Sequence, residues 1–185
     1  MSLRTTPWAA LAAAALLAAL AAAAHAAAVT ATGTVTGTAL SATSSATPSF
    51  TANLDSGDVT TTYTIPLAVQ DTRGTGAGWN LTITSTTFST GGATPNLLAT
   101  NASSLTGVTS ACASGTCTNP SNAQTYPIGV PAAGTAPAAV KFFNTTANNG
   151  MGKFTITPTI AVTVAQNAFA GSYTSTVTAS IVTGP

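Results

Sequence analysis

The sequence predicts an all-β fold, a single immunoglobulin-like β-sandwich behind an N-terminal signal peptide. Three observations carry this reading. Apolar residues and threonine alternate with period two in several short stretches, the pattern of strands with one buried face. No stretch after the leader has the 3.6-residue period of a helix. Glycine, asparagine, aspartate and serine punctuate the strands at short spacing, as in a sandwich.

The chain opens with Met1-Ser2-Leu3-Arg4, a short region with one cation, and then runs almost entirely in Ala and Leu from Pro7 to Ala24. Ala24-His25-Ala26 fits the small-x-small rule of a signal peptidase site, with Ala26-Ala27-Ala28 as a second option. Residues 1–26 therefore read as a secretory signal peptide. The competing reading is a retained membrane anchor, because the run is nearly long enough to span a bilayer. Cleavage leaves one domain, 27–185, of a size that buries about 70% of the surface its unfolded chain exposes. No second apolar run of spanning length follows, so no membrane span is expected after cleavage.

The strands follow in order. In Val29–Thr38 every second residue is threonine, which predicts a strand with a hydroxyl face. Leu40 to Pro48 reads as a connector. Phe50–Leu54 reads as a short strand, closed by the Asx turn Asp55-Ser56-Gly57-Asp58. Thr61–Val69 sets Tyr63, Ile65, Leu67 and Val69 on one face, with Pro66 marking an edge or bulge. A long glycine turn leads into a strand with Trp79, Leu81 and Ile83 on one side, ended by Gly91-Gly92. Residues 94–126 read as an excursion with one or two short strands. Ala138–Phe143 alternates loosely. Lys153–Val164 alternates most cleanly, with Phe154, Ile156, Pro158, Ile160, Val162 and Val164 against mainly threonine. Tyr173–Val182 closes the domain, with Tyr173, Val177, Ala179 and Ile181 on one face.

Threonine suits strands because it is β-branched. It faces water without charge, and charge is what usually keeps strand edges from pairing with neighbours. A neutral strand such as Val29–Thr38 is thus poorly protected. Either another strand covers it or it self-associates.

Charge removes several classes of function. The whole chain carries four Lys and Arg, three acids and one histidine. After the leader the acids are Asp55, Asp58 and Asp71 and the bases Arg73, Lys141 and Lys153, which cancel. His25 leaves with the leader. No basic cluster exists to bind nucleic acid or anionic membranes. Without a histidine there is no hydrolytic triad, and Asp55 and Asp58 share a loop where they cap turns. Asn53, Asp55 and Asp58 supply too few oxygens for calcium without backbone help. Gly74, Gly76 and Gly78 are not followed by a helix start, so they do not make a phosphate loop. Neither catalytic residues nor a cofactor nor a metal is predicted. Cys112 and Cys117 form an even pair in an exported chain, hence a disulfide that clips a hairpin tip. A zinc site lacks further ligands, and the spacing is not that of a Cys-x-x-Cys redox pair.

The remaining chemistry sits in Asp71-Thr72-Arg73-Gly74-Thr75-Gly76-Ala77-Gly78-Trp79-Asn80-Leu81. In one reading Asp71 caps the turn, Arg73 pairs with it or lies over an aromatic ring, and Trp79 fills the core. In the other, Arg73, Trp79, Leu81 and Tyr173 contact a glycan or a partner. The sequons at Asn80, Asn101 and Asn144 arise readily in a threonine-rich chain and read as unmodified.

This stretch resembles the first conserved block of the WxL-domain cell-surface proteins of bacteria, with Trp79-Asn80-Leu81 as the first Trp-x-Leu. Ala168-Phe169-Ala170-Gly171-Ser172-Tyr173-Thr174-Ser175-Thr176-Val177-Thr178 resembles the family's last block. The second Trp-x-Leu, which falls in the final strand of the family, has no counterpart, since no tryptophan occurs there. The resemblance implies a secreted, non-catalytic protein of the bacterial cell surface, holding to the cell wall through peptidoglycan or to other surface proteins. The alternative is a structural subunit of a surface layer or filament, assembled by β-strand addition.

Overall fold

Ten strands carry the described residues. They are β1 (Leu40–Thr43), β2 (Val59–Thr64), β3 (Leu67–Asp71), β4 (Trp79–Thr86), β5 (Ser103–Ser114), β6 (Ile128–Gly129), β7 (Ala132–Ala133), β8 (Val140–Asn144), β9 (Gly152–Val164) and β10 (Val177–Thr183). The computed structural model describes residues 30–117 and 119–185, so the predicted signal peptide lies outside the described residues. The chain divides after Thr34 into two units. Residues 30–34, the described part of the first unit, are exposed and outside any strand. Val35–Pro185 holds every strand among the described residues.

The strands form two sheets. The larger runs β1-β3-β9-β5-β6, with β2 also on β9; the smaller runs β10-β4-β7, with β8 also on β4. β9, the longest strand, lies between its partners, antiparallel to β2 and β3 on one side and to β5 on the other. β2 and β3 keep a single register along β9, Val59 facing Val164 and Asp71 facing Gly152. They are in effect the one strand predicted over Thr61–Val69, interrupted at Ile65-Pro66. There Pro66 and Pro158 each lack an N–H to give the ladder. Only Ile65 N–H crosses the break, to the Pro158 carbonyl at 3.2 Å.

The core lies on the inner faces. Trp79, Leu81 and Ile83 of β4, Phe142 and Phe143 of β8, and Phe154, Ile156, Ile160 and Val162 of β9 are buried together. Two adjacent phenylalanines cannot both face inward on a regular strand. The register between β4 and β8 slips here, Leu81 facing Phe143 and Thr82 facing Lys141, so Phe142 is the bulged residue. The Trp79 ring stacks on Phe143 at 5.4 Å between centroids and tilts against Phe154 at 6.4 Å. The outer face of β4 is covered as well. Asn80 Nδ2 donates to the Gly184 carbonyl and Thr84 Oγ1 to that of Pro137, both at 2.8 Å.

The structure corrects four expectations. Residues 30–38 of the predicted strand Val29–Thr38 are not a strand, Val29 itself lying outside the described residues; Leu40–Thr43, part of the expected connector Leu40–Pro48, is one. The alternate positions Ala31, Gly33, Val35 and Gly37 offer little apolar area to bury, whereas Leu40 and Ala42 pack against the core. Phe50–Leu54 forms no strand; Phe50 stacks on Tyr63 at 6.0 Å and meets Phe88 edge-on. The excursion over 94–126 contains the twelve-residue β5. Thr106 and Ala113 bulge out of its pairing with β9, which breaks the alternation that would have announced it. Cys112 and Cys117 are joined, with 6.1 Å between their Cα atoms, but they do not clip a hairpin. β5 has β9 and β6 as partners, and Cys117 lies against Gly152 at the start of β9. The disulfide therefore fastens the segment after β5 over the end of β9.

No helix among the described residues is long and apolar enough to cross a membrane. Trp79→Ala is expected to cost about 3–5 kcal/mol, the usual range for a buried tryptophan. Ser180→Ala, on an exposed position of β10, should stay within about 0.5 kcal/mol. Urea midpoints check the pair, and similar losses would contradict the placement of Trp79.

Candidate functional site

The turn between β3 and β4 closes on an ion pair. Asp71, the last residue of β3, has a side chain only 1% exposed, and that of Arg73 is 15% exposed. Arg73 Nε donates to Asp71 Oδ1 and one terminal nitrogen to Oδ2, both at 2.9 Å, a two-pronged contact matched to the planar guanidinium. The same terminal nitrogen reaches the Gly78 carbonyl and the other reaches Thr183 Oγ1, also at 2.9 Å. The Arg73 backbone N–H adds a bond to Asp71 Oδ1. Burial pushes the Asp71 carboxyl up. The side-chain and backbone hydrogen bonds from Arg73 and its positive charge outweigh that, so its pKa lies below the ordinary carboxylate value. Bonding to Asp71 likewise holds Arg73 above its ordinary value, against desolvation.

The glycines of the turn take left-handed backbone, with φ of 71° at Gly74, 64° at Gly76 and 69° at Gly78. Gly78 must also be bare, because a Cβ there would come within 2.9 Å of the Thr146 carbonyl oxygen. The turn is thus pressed against the segment 145–150. Asn148 N–H donates to the Gly76 carbonyl at 2.7 Å. Thr145, fully buried, gives both its N–H and its hydroxyl to the Trp79 carbonyl, and its Oγ1 accepts the Trp79 N–H at 2.8 Å. The indole N–H of Trp79 donates to the Gly150 carbonyl at 2.8 Å.

The four predicted contact residues do not form one site. Trp79 and Leu81 are completely enclosed, so a ligand would touch them only by displacing the core. Arg73 spends its donors within the protein. It sits beside Thr183, which pairs with Trp79 at one end of the β4–β10 ladder. Tyr173 lies beyond the other end, next to Thr174, whose N–H bonds the Ser89 carbonyl. The ladder separates the two by about 20 Å at ~3.3 Å per residue. The Tyr173 hydroxyl donates to the Phe169 carbonyl at 2.8 Å and braces the turn before β10.

That turn carries a surface the sequence reading missed. Phe169 is 69% exposed and Leu97, nearby, 59%. Between them lies a hollow of about 560 Å³ whose walls include Asn101, Thr163 and Asn167. Leu97 also borders a second hollow, of about 450 Å³, edged by the hydroxyls of Thr86, Ser89 and Thr174. The end of the sandwich thus offers an apolar ring, an aliphatic side chain, amides and hydroxyls. Phe169 inside a turn, and Leu97 in a stretch without strand periodicity, were the available signals.

Of the other acids, Asp58 caps a turn with its carboxylate and Asp55 takes part in one through its backbone. Asn53 Oδ1 accepts from Asp55 N–H at 3.2 Å, and Asp58 Oδ1 from Gln166 N–H at 2.9 Å. Among the described residues no group of three His, Cys, Asp or Glu side chains is placed to hold a metal.

A family model described as WxL domain, surface cell wall-binding, matches residues 25–185. No curated protein and no solved structure matches the chain.

Two outcomes follow for the turn. A carboxyl with a depressed folded pKa stabilises above its unfolded pKa, about 3.9, and that contribution is lost as pH falls through the folded value. The wild type should therefore weaken below about pH 4. Asp71→Asn should already be weaker at pH 7 by about 3 kcal/mol, from the unpaired Arg73, and lose less on acidification. Urea midpoints at pH 7 and pH 3 test this, and equal acid losses would count against it. Gly74→Ala has open space and should cost about 1 kcal/mol for its backbone alone. Gly78→Ala should cost at least about twice that, since backbone must also move.

Proposed function

The chain belongs to the WxL-domain family, a surface cell wall-binding family, and on that premise we propose that it is an exported, non-catalytic protein that holds to peptidoglycan. The family match over 25–185 carries this reading. Residues 1–26 direct export and are removed, and 27–185 is the binding domain. The Asp71–Arg73 turn and Trp79 keep the sandwich closed. Contact falls to the opposite end, where Phe169 and Leu97 stand out from amides and hydroxyls. Exposed apolar side chains rimmed by polar groups mark interaction surfaces, and a wall glycan or its peptide stems offer both apolar and hydrogen-bonding faces. Tyr173 takes part by fixing the turn that presents Phe169. Other surface proteins are the remaining partners of this end.

Sedimentation with isolated bacterial cell walls tests the proposal. The wild-type chain should pellet with the walls. Phe169→Ser and Leu97→Ser should each weaken binding about tenfold, a loss of ~1.4 kcal/mol. Val182→Ser removes a comparably exposed apolar side chain from the other end of β10 and should bind as wild type. A wild-type chain that stays in the supernatant ends the wall reading. Equal losses in all three variants would move the contact away from Phe169.

A further inference from the structure

Beyond wall binding, and independent of it, two uncharged backbone stretches among the described residues lack a ladder partner: the outer edge of β5 and the segment before β1. The acceptor is β5. On one side it pairs with β9 from Ser103 to Ser114. On its other side, among the described residues, Ser104 and Leu105 pair with β6 and the Ser103 carbonyl accepts the Val130 N–H. From Thr106 onward β5 is, among the described residues, an open edge, and its residues to Cys112 are exposed or half-buried. Natural sheets blunt such edges with lysine, proline or inward charges. Thr106-Gly107-Val108-Thr109-Ser110-Ala111-Cys112 has none of these. Its bulge at Thr106 lies at the start of the open edge and leaves Gly107–Cys112 in regular register with β9.

The donor is the segment Thr30-Ala31-Thr32-Gly33-Thr34-Val35-Thr36. It is uncharged, free of proline, rich in β-branched residues and alternates with period two, yet it forms no strand. Every residue in it is exposed, and Val35 is 98% exposed. The first ladder contact among the described residues comes only at Thr38, whose N–H donates to the Thr72 carbonyl. Donor and open edge are the same length, about 23 Å as strands. A segment with every local preference for a ladder and an edge lacking a neighbour are complementary in backbone hydrogen bonding, which is the chemistry of strand addition.

We propose that residues 30–36 of one copy add as a strand to the open edge of β5, Thr106–Cys112, in a second copy. The contact is heterologous: each copy gives one strand and accepts one. Repetition therefore extends into a chain of molecules rather than stopping at a symmetric dimer.

The test uses the chain expressed with its own leader and purified. The wild type should form a concentration-dependent ladder of species by light scattering after size exclusion. Deleting residues 30–36 leaves an acceptor only. Thr109→Pro or Ser110→Pro leaves a donor only. Adjacent residues point their N–H groups to opposite edges, so one of these two spares the β9 ladder, and the variant with the wild-type circular dichroism spectrum is used. Each variant alone should be monomeric, and their equimolar mixture should give a 1:1 heterodimer that grows no further. Centre pairs meet whichever way the donor runs, so Gly33→Cys mixed with Thr109→Cys should form an intermolecular disulfide. A wild type that is monomeric at every concentration overturns the proposal. So do oligomers that survive both variants, or variants that fail to combine on mixing.

Discussion

Trp79 is held from three directions, and the two sheets depend on that hold. Its N–H and carbonyl are both taken by Thr145, its indole N–H by the Gly150 carbonyl, and its ring lies on Phe143 and against Phe154. One side chain thus joins the start of β4 to the segment between β8 and β9 and fills the space between the sheets. A buried indole N–H or an unpaired backbone group there would cost about 1–3 kcal/mol each. The turn before Trp79 must therefore deliver it in one position. The three left-handed glycines and the Asp71–Arg73 pair do so, and Gly78 lies flush on the Thr146 carbonyl because nothing larger fits.

The same economy explains why the densest chemistry in the sequence leaves almost no group free at that turn. In a chain with so few charges, an acid and a base two residues apart draw attention as a site. They satisfy one another almost completely, and Arg73 gives its remaining donors to Gly78 and Thr183. The groups exposed at the end of the sandwich around Phe169 and Leu97 are neutral: an aromatic ring, an aliphatic side chain, amides and hydroxyls.

Legibility in the sequence followed regularity. β9 and the inner face of β4 could be read because neither carries a bulge in its own chain and each inward position is large. β5 was hidden because Thr106 and Ala113 bulge, setting Leu105 and Val108 three apart instead of two. Val29–Thr38 had the right period with side chains too small to bury, so period alone overstated it. Phe50 reaches the core by stacking on Tyr63 from irregular backbone, which no strand pattern encodes. The Asp71–Arg73–Trp79 cluster was legible as a structural unit. The Phe169 surface was not, because exposure at a sandwich end is set by how turns pack and not by residue type.

The neighbouring prolines of the larger sheet have one more consequence. Pro66 and Pro158 lie one register step apart at the β2–β3 interruption, where the single hydrogen bond from Ile65 N–H to the Pro158 carbonyl bridges β2 and β3 to β9. Cooperative opening propagates along an unbroken ladder and stalls where bonds are missing. The seam therefore separates two exchange units. β2, together with the Phe50 stack on Tyr63, can peel from β9 as one piece while β3 stays fastened through β1 and the Asp71–Arg73 turn. Slow amide exchange would then report two protection levels along what the register shows to be a single strand.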